Sequence, residues 1–255
     1  MYFAFKILIL ILLIINKYCS AHQKQLEFIY HDYENLTNIL KLYAKTYPTK
    51  AYLYSIGKSV QNRELWVLSI ADSNPDRHLL LRPEAKYVGN MHGNEASSRE
   101  ILLHLIDHML KNQSLDTNID YVMKNVRTHI LVSMNPDGFQ KSIEGDCSSI
   151  TGRFNDNNYD LNRNFPDLSQ CNNYEIQPET HSLINWLDNN EFILSANLHS
   201  GTVLVNYGYD DIEYSTIDQD VFKSLALNYS LNHANMRFSP CGYDIFKDGI
   251  TNGGI

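Results

Sequence analysis

The sequence predicts an α/β fold: a single domain with a mixed, largely parallel β-sheet flanked by helices on both faces. Three observations predict it. Apolar segments of strand length alternate with amphipathic segments of helical spacing. Segments 86–89, 128–133 and 192–198 are apolar enough to read as strands buried on both faces. The composition, 44% hydrophobic and 20% charged over 255 residues, is that of a globular chain with room for one large domain.

The first residues stand apart. Lys6 precedes an apolar run over residues 7–15, and Cys19-Ser20-Ala21 places small residues where a signal peptidase reads them. Residues 1–21 therefore read as a signal peptide, since the run is shorter than the ~20 residues a membrane span needs. The domain covers 22–255. Residues 33–47 carry Leu36, Ile39, Leu40 and Tyr43 at helical spacing and stop at Pro48. Residues 51–56 and 64–71 read as strands around the turn-prone 57–63. A helix is expected over 96–110, with Ile101, Leu102, Leu105 and Met109 on one face. Another is expected over 179–187, with Pro178 suited to its first turn. No repeat, low-complexity tract or linker interrupts the chain.

Composition narrows the partners. With 21 Lys and Arg against 29 Asp and Glu, the net charge is −8, which argues against nucleic acid or an anionic membrane surface. Secretion, to an extracellular or lumenal compartment, suits three glycosylation sequons at Asn35, Asn112 and Asn228. Once Cys19 leaves with the signal peptide, Cys147, Cys171 and Cys241 remain, an odd number for an oxidising compartment. One stays free, or its partner lies outside this chain. Oligomeric state is not legible.

The stretch YVGNMHGNE, residues 87–95, sets His92 and Glu95 three apart in a Gly/Asn turn. The bare spacing is weak, because His31 has Glu34 and His104 has Asp107 at the same distance. Position strengthens it. The strand at 86–89 runs into His92 and Glu95, and the strand at 192–198 runs into His199. Ligands in open α/β sheets bind beyond the carboxyl ends of strands. A catalytic zinc takes three N/O ligands and keeps a fourth position for water, and these three residues supply that set for one Zn2+ ion. His104 and His108 are a rival pair at i, i+4, but Leu105 stands where a zincin needs Glu. They are expected to flank the apolar face of their helix, and His31 with Glu34 to be a solvated pair. Downstream, GRFNDNNYDLNRNFPD (152–167) holds Arg153 and Arg163, the side chain suited to gripping a carboxylate. A Lewis acid beside a carboxylate clamp suits a hydrolase acting next to a free C-terminus.

Together GNMHGNE, SMNPDG, DLNRNFPD and SANLHSG resemble the zinc metallocarboxypeptidases, in particular the regulatory subfamily that includes carboxypeptidases D, E, M and N. SIGKSVQNRELWVLSIAD and DGITNGG match that subfamily too, so the resemblance runs in order from about Tyr30 to the end. It implies that His92, Glu95 and His199 bind zinc. Arg153 would polarise the scissile carbonyl, Asn162 and Arg163 would hold the substrate's C-terminal carboxylate, and Asp160 would orient the first zinc His. Asp210, in NYGYDD, falls where the subfamily places the acid that selects C-terminal Lys or Arg.

There are departures. Ser200 stands where the subfamily usually has Gly. The family's general-base Glu, substrate-capping Tyr and last strand and helices follow GITNG, and its transthyretin-like domain lies further on. The domain is therefore expected to be incomplete at 255 and a poor catalyst as it stands. Two other readings remain: a catalytically inactive peptide-binding relative, and an aspartoacylase-like zinc deacylase, whose family shares HGNE and a DLNR-type loop. Arg153, NPDG, NRNFPD and Asp210 favour the carboxypeptidase.

Overall fold

The computed structural model describes residues 26–166, 175–209, 216–236 and 246–252. The expected signal peptide, Asp210, Cys171 and Cys241 lie outside them; Cys147 is an exposed free thiol. Residues 1–30 and 31–255 form separate compact units, and the fold is that of the second. Among the described residues no helix is long and apolar enough to cross a membrane.

Strands β1 (Ala51–Lys58), β2 (Glu64–Ile70), β3 (Glu84–Gly89), β4 (Arg127–Leu131) and β5 (Phe192–Leu198) form one sheet in the order β1-β2-β4-β3-β5. The pairings β1–β2 and β2–β4 are antiparallel, while β4–β3 and β3–β5 are parallel. A separate parallel pair joins β6 (Val205–Tyr207) to β7 (Ile250–Asn252).

β3 and β4 begin earlier than their apolar runs suggested, because their first residues are charged and pair with each other. Glu84 sits opposite Arg127 in the parallel register, and Arg127 Nη1 donates to Glu84 Oε1 at 3.1 Å. His129 Nε2 lies 3.1 Å from Glu84 Oε2, and its Nδ1 lies 2.7 Å from Tyr54 Oη, which accepts from Trp186 Nε1. Charged residues survive burial when paired in this way.

Helix α1 (Tyr33–Thr46) starts at Asp32, whose carboxylate accepts from the Asn35 amide at 2.7 Å, and buries Leu36, Leu40 and Tyr43. Helix α2 (Ala96–Asn112) buries Leu102, Leu103, Ile106, Met109 and Leu110, whereas Ile101 is exposed. The apolar face is therefore rotated from the one expected, toward Leu103, Ile106 and Leu110, while Leu102, common to both, approaches β3 closely. A Cβ on Gly89 would lie 2.8 Å from Leu102 Cδ1. On the opposite side of the sheet, Leu183 and Trp186 of α5 (Pro178–Asp188) join Val67, Val88 and Leu131 in one core.

Two expectations need correction. His31 is buried and lies 2.7 Å from Glu100 Oε2 by its Nδ1, so it is no solvated partner of Glu34. Chain direction hid this, since the carboxylate comes from α2, far along the sequence. β5 is not a buried strand either: none of its residues is buried, and among the described residues it pairs with β3 alone. Helices α3 (Thr117–Asn125), α4 (Pro136–Lys141) and α6 (Gln219–Asn232) went unread. α4 is six residues long, α3 buries only Met123, and α6 only Ala226 and Ser230. Such elements leave little periodicity to find.

Candidate metal centre

β3 delivers its ligands through a turn that two residues make possible. Asn90 ends the strand with φ of 56°, a left-handed conformation that Asn tolerates better than most non-glycine residues. Gly93 then passes so close to the next layer that a Cβ would lie 2.3 Å from the backbone of Gly138 and Phe139. His92 and Glu95, on either side of Gly93, are thereby held at the carboxyl end of the sheet. The adjacent strand β5 brings His199 to the same edge.

The three expected ligands come together: one donor atom from each of His92, Glu95 and His199 lies within 4.8 Å of the others. His92 Nδ1 lies 2.7 Å from Glu95 Oε1, and His199 Nδ1 lies 3.0 Å from Glu95 Oε2. The rings sit 5.0 Å apart by centroid. Ser200, the residue expected to depart from the resemblance, donates its backbone N–H to Glu95 Oε2 at 3.0 Å and pairs its hydroxyl with that of Ser97 at 2.5 Å.

Asp160 closes the far side of His92, with Oδ1 3.1 Å from Nε2. Asp160 thus takes up Nε2, and Nδ1 is the nitrogen turned toward Glu95, the one a metal lying between them would use. Asp160 Oδ2 accepts from Arg153 Nε at 3.1 Å and Nη2 at 2.9 Å. Arg153 Nη1 is left 3.7 Å from Glu95 Oε1. Asp160 also caps the 3-10 turn Leu161–Arg163, accepting from the Asn162 amide at 2.9 Å. Asn162 and Arg163 therefore start from the carboxylate that holds Arg153, with Arg163 exposed.

Charges follow the geometry. Burial pushes the Glu95 carboxyl up, but hydrogen bonds from His199, His92 and the Ser200 amide outweigh it and hold it at about 2. Burial likewise opposes ionisation of Asp160, and His92 and Arg153 overcome it, holding the carboxyl well below the usual range. Burial disfavours a charged His92, yet hydrogen bonds to Asp160 and Glu95 raise its pKa. Two imidazole nitrogens and an ionised carboxylate facing one point are a donor set that fits zinc.

His104 and His108 do not join the cluster; His108 reaches Asp116 instead, 3.5 Å away. Of the sequon asparagines, Asn35 and Asn228 are exposed on α1 and α6, and Asn112 ends α2 half-buried. The sequence reading missed the residues that brace the turn, Asn90, Ser133 and Asn135. The only signal was an asparagine shortly after β3 and after β4, Asn90 and Asn135; Ser133 had none.

Residues 36–255 match the family model described as Zinc carboxypeptidase. The chain is 46% identical to carboxypeptidase D of Anas platyrhynchos over 247 residues, covering 92% of this chain and 18% of that protein. To carboxypeptidase M of Mus musculus it is 43% identical over 239 residues, covering 89% of this chain and 54% of that protein. The chain thus spans under a fifth of the one relative and about half of the other. Carboxypeptidase A from Helicoverpa armigera superposes with a TM-score of 0.71 at 20% identity, covering 92% of this chain and 61% of that one, and shares the fold.

Proposed function

Because the chain belongs to the zinc carboxypeptidase family, we propose that it holds one zinc ion at His92, Glu95 and His199 and acts on the C-terminal end of peptides or proteins. The observation that carries this reading is the convergence of two Nδ1 atoms on the two oxygens of Glu95, with Arg153 alongside. Bound there, zinc supplies a Lewis acid and an acidified water.

The chain's own residues do the rest. Asp160 takes two of the Arg153 N–H groups and so aims the remaining Nη1 toward the metal position. A fixed cation there meets negative charge developing on a carbonyl oxygen without having to reorganise. Asn162 and Arg163 hold the terminal carboxylate and set which peptide bond lies beside Arg153. Asp210 would take a basic terminal side chain, so Lys or Arg is the preferred leaving residue. Glu95 and Asp160 are both engaged, so neither is placed to take a proton from an attacking water. We assign no general base to the described residues. The signal peptide and sequons put the protein in the secretory pathway.

The test compares zinc-loaded wild type with Arg153→Ala and Asp210→Ala, measuring binding and release of C-terminal Arg and Phe from matched peptides. The expected result is tighter binding of the Arg peptide, lost in Asp210→Ala. Preference for Phe in the wild type, or hydrolysis of acyl-amino acids in place of peptides, overturns the reading.

A further inference from the structure

We propose that Asn90 is a positioning residue for the metal ligands, fixing His92 and Glu95 relative to each other through their backbone carbonyls. This rests on the zinc reading above. Asn90 is completely buried. Its Nδ2 donates to the carbonyl oxygens of His92 at 3.0 Å and Gly93 at 2.9 Å, and lies 3.5 Å from that of Glu95. The ligand turn is thus wrapped around one amide nitrogen. At the other end of the amide, Oδ1 accepts from Ser133 Oγ at 2.8 Å, which fixes the nitrogen toward the turn.

The backbone of Asn90 extends the clamp. Its N–H donates to Ser98 Oγ at 2.9 Å, and that hydroxyl donates to the Glu95 carbonyl at 2.8 Å. Its carbonyl accepts from the Asn135 amide at 3.0 Å. The first turn of α2, the end of β4 and the ligand turn therefore meet at one residue. Releasing the carbonyls of residues 92 and 95 would free the peptide planes that aim the imidazole and the carboxylate. Ligand spacing, more than fold, depends on them. Asn135 repeats the device, with Nδ2 3.2 Å from the Arg153 carbonyl and 3.4 Å from that of Met91.

The left-handed φ supplies a clean variant. Asn90→Gly tolerates the left-handed backbone and removes the amide together with its Cβ. Asn90→Asp keeps the shape but turns an acceptor toward three carbonyls. Ser133→Ala leaves Asn90 in place and removes only the bond that orients it.

The test uses the full chain and measures zinc affinity by chelator competition, the visible spectrum of the cobalt(II) form, and thermal unfolding without metal. Both Asn90→Gly and Asn90→Asp should weaken zinc binding about 10–100-fold, the cost typical of losing a group that braces metal ligands, with altered cobalt bands. Ser133→Ala should shift affinity and spectrum in the same direction by a smaller factor. Should Asn90→Gly fail to fold, Ser133→Ala decides alone. Wild-type affinity and spectrum in the variants that fold, or a near-normal Asn90→Asp, overturn the proposal by showing that Asn90 only fills space. The zinc reading itself fails separately, if wild type takes up no stoichiometric metal or His199→Ala leaves affinity unchanged.

Discussion

Asp160 Oδ1 lies 3.1 Å from His92 Nε2, on the opposite side of the imidazole from Glu95. This one contact fixes the ring's orientation and leaves Nδ1 turned toward the metal position. Asp160→Asn keeps the size of the side chain but can present an N–H where an acceptor is needed. It should weaken zinc binding about 10–100-fold while the metal-free fold persists. Chelator competition measures it, and unchanged affinity would remove Asp160 from the site.

Gly93 is the point where the ligand turn touches the next layer. A Cβ there would meet the Gly138 and Phe139 backbone at 2.3 Å and the Gly152 carbonyl at 2.5 Å, and backbone cannot swing aside. Gly93→Ala should cost about 1–3 kcal/mol of stability, as overpacking does, and disturb zinc binding more than Asp160→Asn. Denaturant midpoints and metal titration read the two effects. Wild-type behaviour in both would mean that the turn is looser than its contacts imply.

Glu84 gives a pH dependence remote from the metal. Burial pushes its carboxyl up, but hydrogen bonds from His129 and His78 and the charge of Arg127 hold it at about 2, against an ordinary 4.5. A depressed folded pKa stabilises the fold above pH 4.5, and that contribution disappears as pH falls toward 2. At about 1.4 kcal/mol for each tenfold change in proton affinity, it is on the order of 3 kcal/mol. Glu84→Gln leaves Arg127 buried without its counter-charge and should cost about 3–5 kcal/mol at pH 7. Unfolding midpoints of the two proteins should converge between pH 4.5 and 2. A gap that stays constant with pH would show that Glu84 is not ionised in the fold.

Ile193 is 73% exposed on β5 and its neighbour Leu194 is 42% exposed. Among the described residues β5 pairs with β3 alone, and a strand edge open to solvent with apolar side chains templates pairing with another chain. The chain should therefore associate as concentration rises, and Ile193→Lys should suppress this without loss of zinc binding. Light scattering across a concentration series tests it. A wild type that stays monodisperse would contradict it.

Much of the site could be read from the sequence because its chemistry is local. His92 and Glu95 lie in one turn, and Asp160, Asn162 and Arg163 in another. Within such spans, spacing and residue type constrain geometry. Arg153 and His199 were legible through resemblance and through their place beside a strand end. The brace at Asn90 was not, since it depends on Ser133 and Asn135 arriving from β4. No periodicity records a hydrogen bond between two strand ends.

By itself, then, the sequence determined which elements alternate, which edge of the sheet gathers the candidate ligands, and which residue types collect there. Apolar periodicity and turn chemistry are properties of neighbouring residues, so they survive in one dimension. Tertiary structure decided which face of α2 is buried: Leu103, Ile106 and Leu110 pack inward and Ile101 does not. It decided that His31 is paired to Glu100 and not solvated. It also decided that β5, among the described residues, pairs with β3 alone and buries none of its side chains, though its composition reads as a core strand. Each of these turns on what packs against a residue from far along the chain, and burial is a property of that neighbour as much as of the residue itself.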